Sequence, residues 1–448
     1  MTASTELAAH ITSIPGAEIP HEQRAQAHSL LLDYVGVTLA GSASSSGRIV
    51  GELMEAMGGQ EESTLLGRRG RVPAAAAAYA NAVSDHSIEL DDVDELALHH
   101  FGPPVVSAAL ATAERIGSTG YETISAIVLG CEVMSRISHA TNPDLRNRGF
   151  HTTPACGVFG AAAATARLLG IDTERTTSAL GLAGAHAGGL MEMYGPSMQK
   201  RINPGPAARD GLISALLAEK GYTGADTILE GERGFGAAFA GRLDAQKLLD
   251  GLGEHYPVLV EYKPYSAARP IHNAIDCARA LREEVGSQLD EIEELIVWRH
   301  PDWAQYHLNS EPTSFHEAQV SLPFAVAVAL RFDGALPEHF APENIQDASL
   351  RSLARRVRIE QDASLARGVS CRMWICTRAG REAVATVNDP LGSQGNPMGS
   401  QALEAKFADL SESVISEESA REAARLIGGL DELEDISALM KHLSGGDR

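Results

Sequence analysis

The chain has 448 residues, of which 44% are hydrophobic and 21% charged, which is ordinary globular usage and excludes a fibrous or disordered polymer. At about 100–200 residues per domain, that length suggests two or three domains. Fifty-nine acidic and 37 basic residues give a formal net charge of −22, so no basic face is expected for a nucleic acid or an anionic membrane.

The first residues, MTASTELAAH, lack the basic patch and apolar run of a signal peptide, and a cytoplasmic protein is expected. Residues 25–39 place Ala27, Leu31, Val35 and Leu39 four apart, one apolar stripe of a helix. The alanine run at 73–83 is too short and too weakly apolar to span a bilayer. Residues 105–116, 124–137 and 157–169 repeat the helical pattern with Ala or Gly on almost every turn, which allows close helix crossings. No Gly-rich stretch follows a β-type run as GxGxxG or GxxxxGK[ST], so a phosphate-binding loop is excluded.

The period changes after about residue 263. A helix is expected over 270–285, then short β-branched runs at 294–299 and 356–360, with a helical pattern at 318–330 between them. Residues 370–387 read as two strands around Ala379-Gly380, with Cys371, Met373 and Ile375 on one face and Arg372, Trp374 and Cys376 on the other. The five cysteines are odd in number, with no CxxC or nearby histidine, so neither a disulfide framework nor a metal site is expected. A Gly/Pro cluster, DPLGSQGNPMG, precedes acidic amphipathic helices that run to Leu443. The expected fold is mainly α: an all-helical domain from 1–262 and 396–448, with an inserted, smaller α+β domain at 263–395. A cleft between two such bodies is where a ligand usually sits.

Four segments gather ionisable side chains in apolar surroundings. SDHSIELDDVDELALHHFGPP carries His86, Glu89, Asp91, Asp92, Asp94, His99 and His100; NPDLRNRGFHTTP carries Arg146, Arg148 and His151. GPSMQKRINPGPAARDG carries Lys200 and Arg201, and EYKPYSAARPIHNAID carries Lys263, Tyr265, Arg269 and His272. In an acidic chain, three cationic loop segments supply the local reversal of sign that a carboxylate ligand requires. Taken singly, each has a plainer reading: a solvated acidic turn, a core histidine or a surface Lys-Arg pair. Asp91 and Asp92 would point to different sides of a regular element, and no i,i+4 histidine pair joins them, which argues against a metal.

In combination, these segments resemble the MmgE/PrpD family. The resemblance runs through LLDYVGVTLAGS (31–42), HSIELDDVD (86–94), HFGPPVVSAALATAE (100–114), RGFHTTPACGVFGAAAATARLLG (148–170), QKRINPGPAARDGLISALLAEKGYTG (199–224), KPYSAARPIHNAID (263–276) and SLPFAVAVAL (321–330). It implies a homodimer with a helical domain and a smaller α+β lid, no cofactor, and a small anionic carboxylate substrate. The family's active-site positions fall on His100 (by downstream spacing; the upstream count selects His99), His151, Lys200 and His272, with Lys263 opening its segment. Its acidic pattern falls on Glu89, Asp91 and Asp92. Glu89 stands where decarboxylase-like members have Asp, Val93 where they have Thr, and Phe324 where they have Tyr.

The chemistry so implied removes a proton or CO2 next to a carboxylate, leaving an enediolate-like charge for Lys200, Lys263 and Arg269 to stabilise, with Arg148 as a further candidate. His100 and His151 would move protons, and His272 would protonate a leaving hydroxyl or the opposite face of a carbanion. The leading expectation is a 2-methylcitrate dehydratase-like lyase. The alternatives are an iminodisuccinate epimerase-like isomerase, a cis-aconitate-type decarboxylase, and a non-catalytic carboxylate-binding protein.

Overall fold

Among the described residues, the longest helices are His21–Ser42 and Gly120–Thr141, of 22 residues each. The computed structural model describes residues 1–193, 195–285, 289–366 and 370–445. The chain is mainly α. Thr152–Leu169 is central, packed against Gly120–Thr141 on one side and Pro204–Glu219 on the other. Small residues set that spacing: a Cβ on Gly130 would lie 2.8 Å from the Gly160 carbonyl oxygen, so the two helices cross backbone to backbone. Side-chain caps start several helices, Thr119 accepting from the Glu122 amide and Asp172 from the Arg175 amide, and Gly117 and Gly170, in the left-handed region, stop the helices that precede these. The alanine run becomes the helix Ala74–Asp85, buried along most of its length.

That helix meets His21–Ser42 even more closely. A Cβ on Gly41 would fall 1.9 Å from the Ser84 carbonyl oxygen, two residues before His86. Gly41→Ala is therefore expected to destabilise the protein by about 1–3 kcal/mol, the usual cost of overpacking. Urea denaturation checks this, and an unchanged midpoint would contradict the close contact.

A two-stranded ribbon, β1 (Ser63–Thr64) and β2 (Arg71–Val72), precedes Ala74–Asp85. The four-stranded sheet comes later, in the order β4-β3-β5-β6: β3 (Ile292–Arg299), β4 (Val357–Gln361), β5 (Cys371–Thr377) and β6 (Glu382–Val387). β3 and β4 are parallel, while β5 pairs antiparallel with both β3 and β6, Val297 opposite Met373 and Met373 opposite Ala385. Cys371, Met373 and Ile375 face a buried apolar cluster shared with His272–Val285 and Leu322–Phe332, as the alternation requires. The helix expected over 318–330 is instead two, Phe315–Gln319 and Leu322–Phe332, because Pro323 has no N–H for the Gln319 carbonyl; Ser321 caps the second, accepting from the Phe324 amide at 3.1 Å. All five cysteines are free.

One large buried apolar cluster runs from Leu7 through the N-terminal helices and takes in Leu403, Phe407, Leu430 and Leu439; another gathers Tyr265 to Ile375. The helix Ser400–Ser411 lies along His21–Ser42, with Phe407 against Gly36. Among the described residues, no helix is long and apolar enough to cross a membrane.

Candidate active site

The acidic segment after Ala74–Asp85 is folded inward rather than solvated: Glu89, Asp91, Asp92 and Asp94 are all buried. Glu89 adopts φ 56° and Leu98 φ 61°, and between these two left-handed residues the chain bends back on itself. Asp92 closes the bend by accepting the Phe101 and Gly102 amides, both at 2.8 Å. Val93 and Glu261 exchange backbone hydrogen bonds at 2.9 Å, which brings the 86–100 segment against the strand-like run leading to Lys263.

Two buried carboxylates organise the charges. Glu89 is paired with Lys200 and Arg201 and lies 3.5 Å from the Lys263 ammonium. Asp91 accepts from His86 Nδ1 at 2.6 Å, faces His100 Nδ1 at 3.1 Å and receives Lys263 at 3.2 Å. Burial alone would raise the Glu89 pKa, but Lys200, Arg201 and Lys263 outweigh it and hold the group well below the usual carboxylate range. Asp91 is likewise held ionised despite its burial. Burial lowers Lys200 to about 8, with Glu89 opposing the shift. Lys263 resists the same desolvation because Asp91 and Glu89 support its charge, and its pKa is raised.

The histidines are neutral for the converse reason. Burial pushes His100 down to about 3 against the pull of Asp91, and His151 falls well below its ordinary value through burial and the charges of its neighbours. Hydrogen bonds fix their tautomers. His100 Nδ1 lies against Asp91 and the Asp92 carbonyl, two acceptors, so it carries the proton and leaves Nε2 as a lone pair. His151 Nδ1 accepts from the Asn203 side-chain amide at 3.1 Å, so its proton sits on Nε2. One imidazole is set as a base and the other as an acid.

These groups meet at a cavity of about 90 Å³. Of the expected residues, Glu89, His100, His151, Lys200, Lys263 and Arg269 line it. Asp91 and Asp92 stand behind the wall, the first bonding to wall residues and the second shaping the bend. His99, the alternative to His100, packs edge-on against Phe101 with neither ring nitrogen bonded.

Besides Asp91 and Asp92, three further expectations need correction. Arg148 is exposed and donates to the Ala238 carbonyl at 3.3 Å; Arg146, in the short helix Asp144–Asn147, is the arginine on the cavity wall. Tyr265 points into the second apolar cluster, where its hydroxyl joins Asp276 and Arg279. His272 is fully buried one layer back, with Nε2 against the Ala267 carbonyl at 3.0 Å and Nδ1 3.4 Å from Arg269, so it supports Arg269 rather than facing the cavity. Sequence reasoning also missed Trp303 and His307, which line the same cavity and which no motif marks.

Val93 lies on the wall, whereas Phe324 is buried in the second cluster beside Phe340. The cavity opens on a cleft of about 1190 Å³ and shares Glu95, Leu98, Arg146, Trp303 and His307 with it. His86, Asp91 and His100 are the one trio among the described residues close enough to suggest metal ligands. The 2.6 and 3.1 Å contacts from Asp91 to the two imidazoles are hydrogen bonds with no space for an ion between them, and Lys263 at 3.2 Å opposes a divalent cation there.

The human cis-aconitate decarboxylase is 27% identical over 97% of this chain and 93% of its own length. A cis-aconitate decarboxylase of Aspergillus terreus is 29% identical over 82% of this chain and 81% of its own. The MmgE/PrpD N-terminal domain model matches residues 5–247 and the MmgE/PrpD C-terminal domain model residues 265–432. The second match extends past residue 395 into helices that pack on the N-terminal assembly. With both halves matched and little outside them, the chain belongs to the MmgE/PrpD family.

Proposed function

We propose that this chain is a cofactor-independent lyase that breaks a bond next to a carboxylate of a small di- or tricarboxylate, expelling CO2 or water. The observation that carries the reading is the convergence of Lys200, Lys263, His100 and His151 on one cavity in a protein whose net charge is −22. Lys200 and Lys263 hold the substrate carboxylate and stabilise the enediolate-like charge that develops on it, in a site largely closed to water. Where water is lost, His100 Nε2 takes the proton from the adjacent carbon; loss of CO2 breaks no C–H bond and needs no base. His151 Nε2–H delivers one, either to a leaving hydroxyl or to the carbon that has lost CO2. We read residues 263–395 as the smaller body supplying Lys263, Arg269, Trp303 and His307, closed over a helical body that supplies the rest. A homodimer is part of the same reading, supported by the family resemblance.

Loss of water, the leading expectation, has no specific support from the two decarboxylases; their names support loss of CO2. A second reading, epimerisation of an aminodicarboxylate, is favoured by Val93, an apolar side chain on the wall at the position of a threonine in decarboxylase-like members. Proton NMR in D2O with cis-aconitate, 2-methylcitrate and an aminodicarboxylate separates them. CO2 release marks decarboxylation, a new vinylic proton marks dehydration, and deuterium uptake without net conversion marks epimerisation. Tight binding with no turnover of any of the three would sink the enzyme reading in favour of a carboxylate-binding protein.

A further inference from the structure

Much of the cavity lining consists of donors: Lys200, Lys263, Arg146 and the His151 Nε2–H all face or line it. The same lining carries acceptors as well: the Glu89 and Glu95 carboxylates, the His100 Nε2 lone pair and, at the mouth, His307. His307 follows the short helix Pro301–Ala304 and sits at φ 68°, a left-handed conformation uncommon outside glycine though open to histidine, and its surroundings hold it there. Two hydrogen bonds do so: its Nδ1 donates to the Val320 carbonyl at 2.9 Å, and its own carbonyl accepts the Leu322 amide at 2.9 Å. With the proton committed to Nδ1, Nε2 is left as an acceptor. His307 lines both the inner cavity and the outer cleft, so it stands at the junction through which a substrate passes. Burial keeps the ring neutral, lowering its pKa to about 4, with Arg299 adding to the effect.

We propose that His307 is a specificity-determining residue whose Nε2 accepts a hydrogen bond from a hydroxyl or amino group on the substrate. With its carboxylates on Lys200, Lys263 and Arg146, a tricarboxylate would offer any hydroxyl it carries to His307 Nε2, the neutral acceptor that remains once His100 Nε2 is engaged as the base. The inference rests on the carboxylate-lyase reading and narrows it to substrates bearing such a donor; where the donor is a hydroxyl, it favours elimination of water. A substrate without the donor leaves the imidazole lone pair desolvated and unpaired, which is how a polar pocket rejects a close analogue.

Citrate and tricarballylate have the same three carboxylates and differ by one hydroxyl, so their dissociation constants, measured by calorimetry, isolate the contact. The wild-type protein is expected to prefer citrate by about tenfold, one neutral hydrogen bond. His307→Phe should bring the two within about twofold. His307→Asn, which tolerates the left-handed backbone but is too short to reach the ligand, should do the same and guards against a folding defect in the first variant. Lys200→Met should weaken both ligands alike and keep the preference. Equal wild-type affinities, or a preference that survives both His307 variants, would overturn the proposal while leaving the carboxylate reading standing. Failure of the wild-type protein to bind either ligand, or binding indifferent to Lys200, would overturn both.

Discussion

Lys200→Met is expected to lower kcat/KM by about 10²–10³-fold, the usual effect of removing one preorganised group from a developing anion. Lys200 is buried, paired with Glu89 and on the cavity wall, so its charge faces the reacting carboxylate with little water to screen it. The fold should tolerate the change, because Glu89 keeps Arg201 and Lys263. The wild-type pH profile carries the same information. Below a pKa of about 8 the ammonium is charged and competent; above it the cation is lost, so kcat/KM should fall about tenfold per pH unit on the alkaline side. Lys200→Arg should move that limb to higher pH, since a guanidinium stays charged. Activity of Lys200→Met within threefold of wild type, or an alkaline limb unmoved in Lys200→Arg, would remove Lys200 from the mechanism.

The parts of this site that could be read in advance share one property: the residue type and its segment were enough. Apolar stripes and runs of small residues marked the helices and their close crossings, and the alternation of Cys371, Met373 and Ile375 marked a sheet face. Cationic loops in an acidic chain pointed to Lys200, Lys263, Arg269 and His151. What failed depended on direction rather than type. Arg146 and Arg148 lie two residues apart in one loop, and only the turn of Asp144–Asn147 and the φ 90° of Gly149 decide which arginine faces the cavity. His272 has the right identity and segment, yet the 3₁₀ turn Arg269–Ile271 puts Arg269 on the wall and the histidine behind it. Trp303 and His307 arrive through tertiary packing, with no local pattern to announce them. The break at Ser321-Leu322-Pro323 was visible as a capping residue and a proline, and the apolar run across it outweighed that signal.

Lys406→Met should destabilise the protein by about 3–5 kcal/mol, more than Gly41→Ala, because it strands a buried charge. Lys406 lies in Ser400–Ser411, far in sequence from the residues it supports, and its ammonium donates to Asp33 Oδ1 at 2.6 Å and to the Leu90 carbonyl at 2.8 Å. Leu90 is the residue between Glu89 and Asp91, so one largely buried cation ties the helix Ser400–Ser411 to the backbone that carries both site carboxylates. Asp33 is buried, its second oxygen has no partner, and Asp85, Asp91 and Asp92 lie within electrostatic reach. Removing the ammonium leaves that carboxylate uncompensated and the Leu90 carbonyl unpaired. Burial already raises the Asp33 pKa above 3.8, and Lys406 opposes the rise. In the variant the folded-state value climbs further, so the folded protein binds a proton more tightly than the unfolded chain does. The deficit is therefore fully present at high pH and shrinks as the pH falls through the folded-state value toward 3.8. Urea denaturation at pH 8 and pH 5 measures both the loss and its narrowing. Adding Asp33→Asn to Lys406→Met should recover part of the loss at pH 8, because the charge that cost most is gone. A double variant no more stable than the single one, or a deficit that grows on acidification, would show that Lys406 supports the site by packing rather than by its charge.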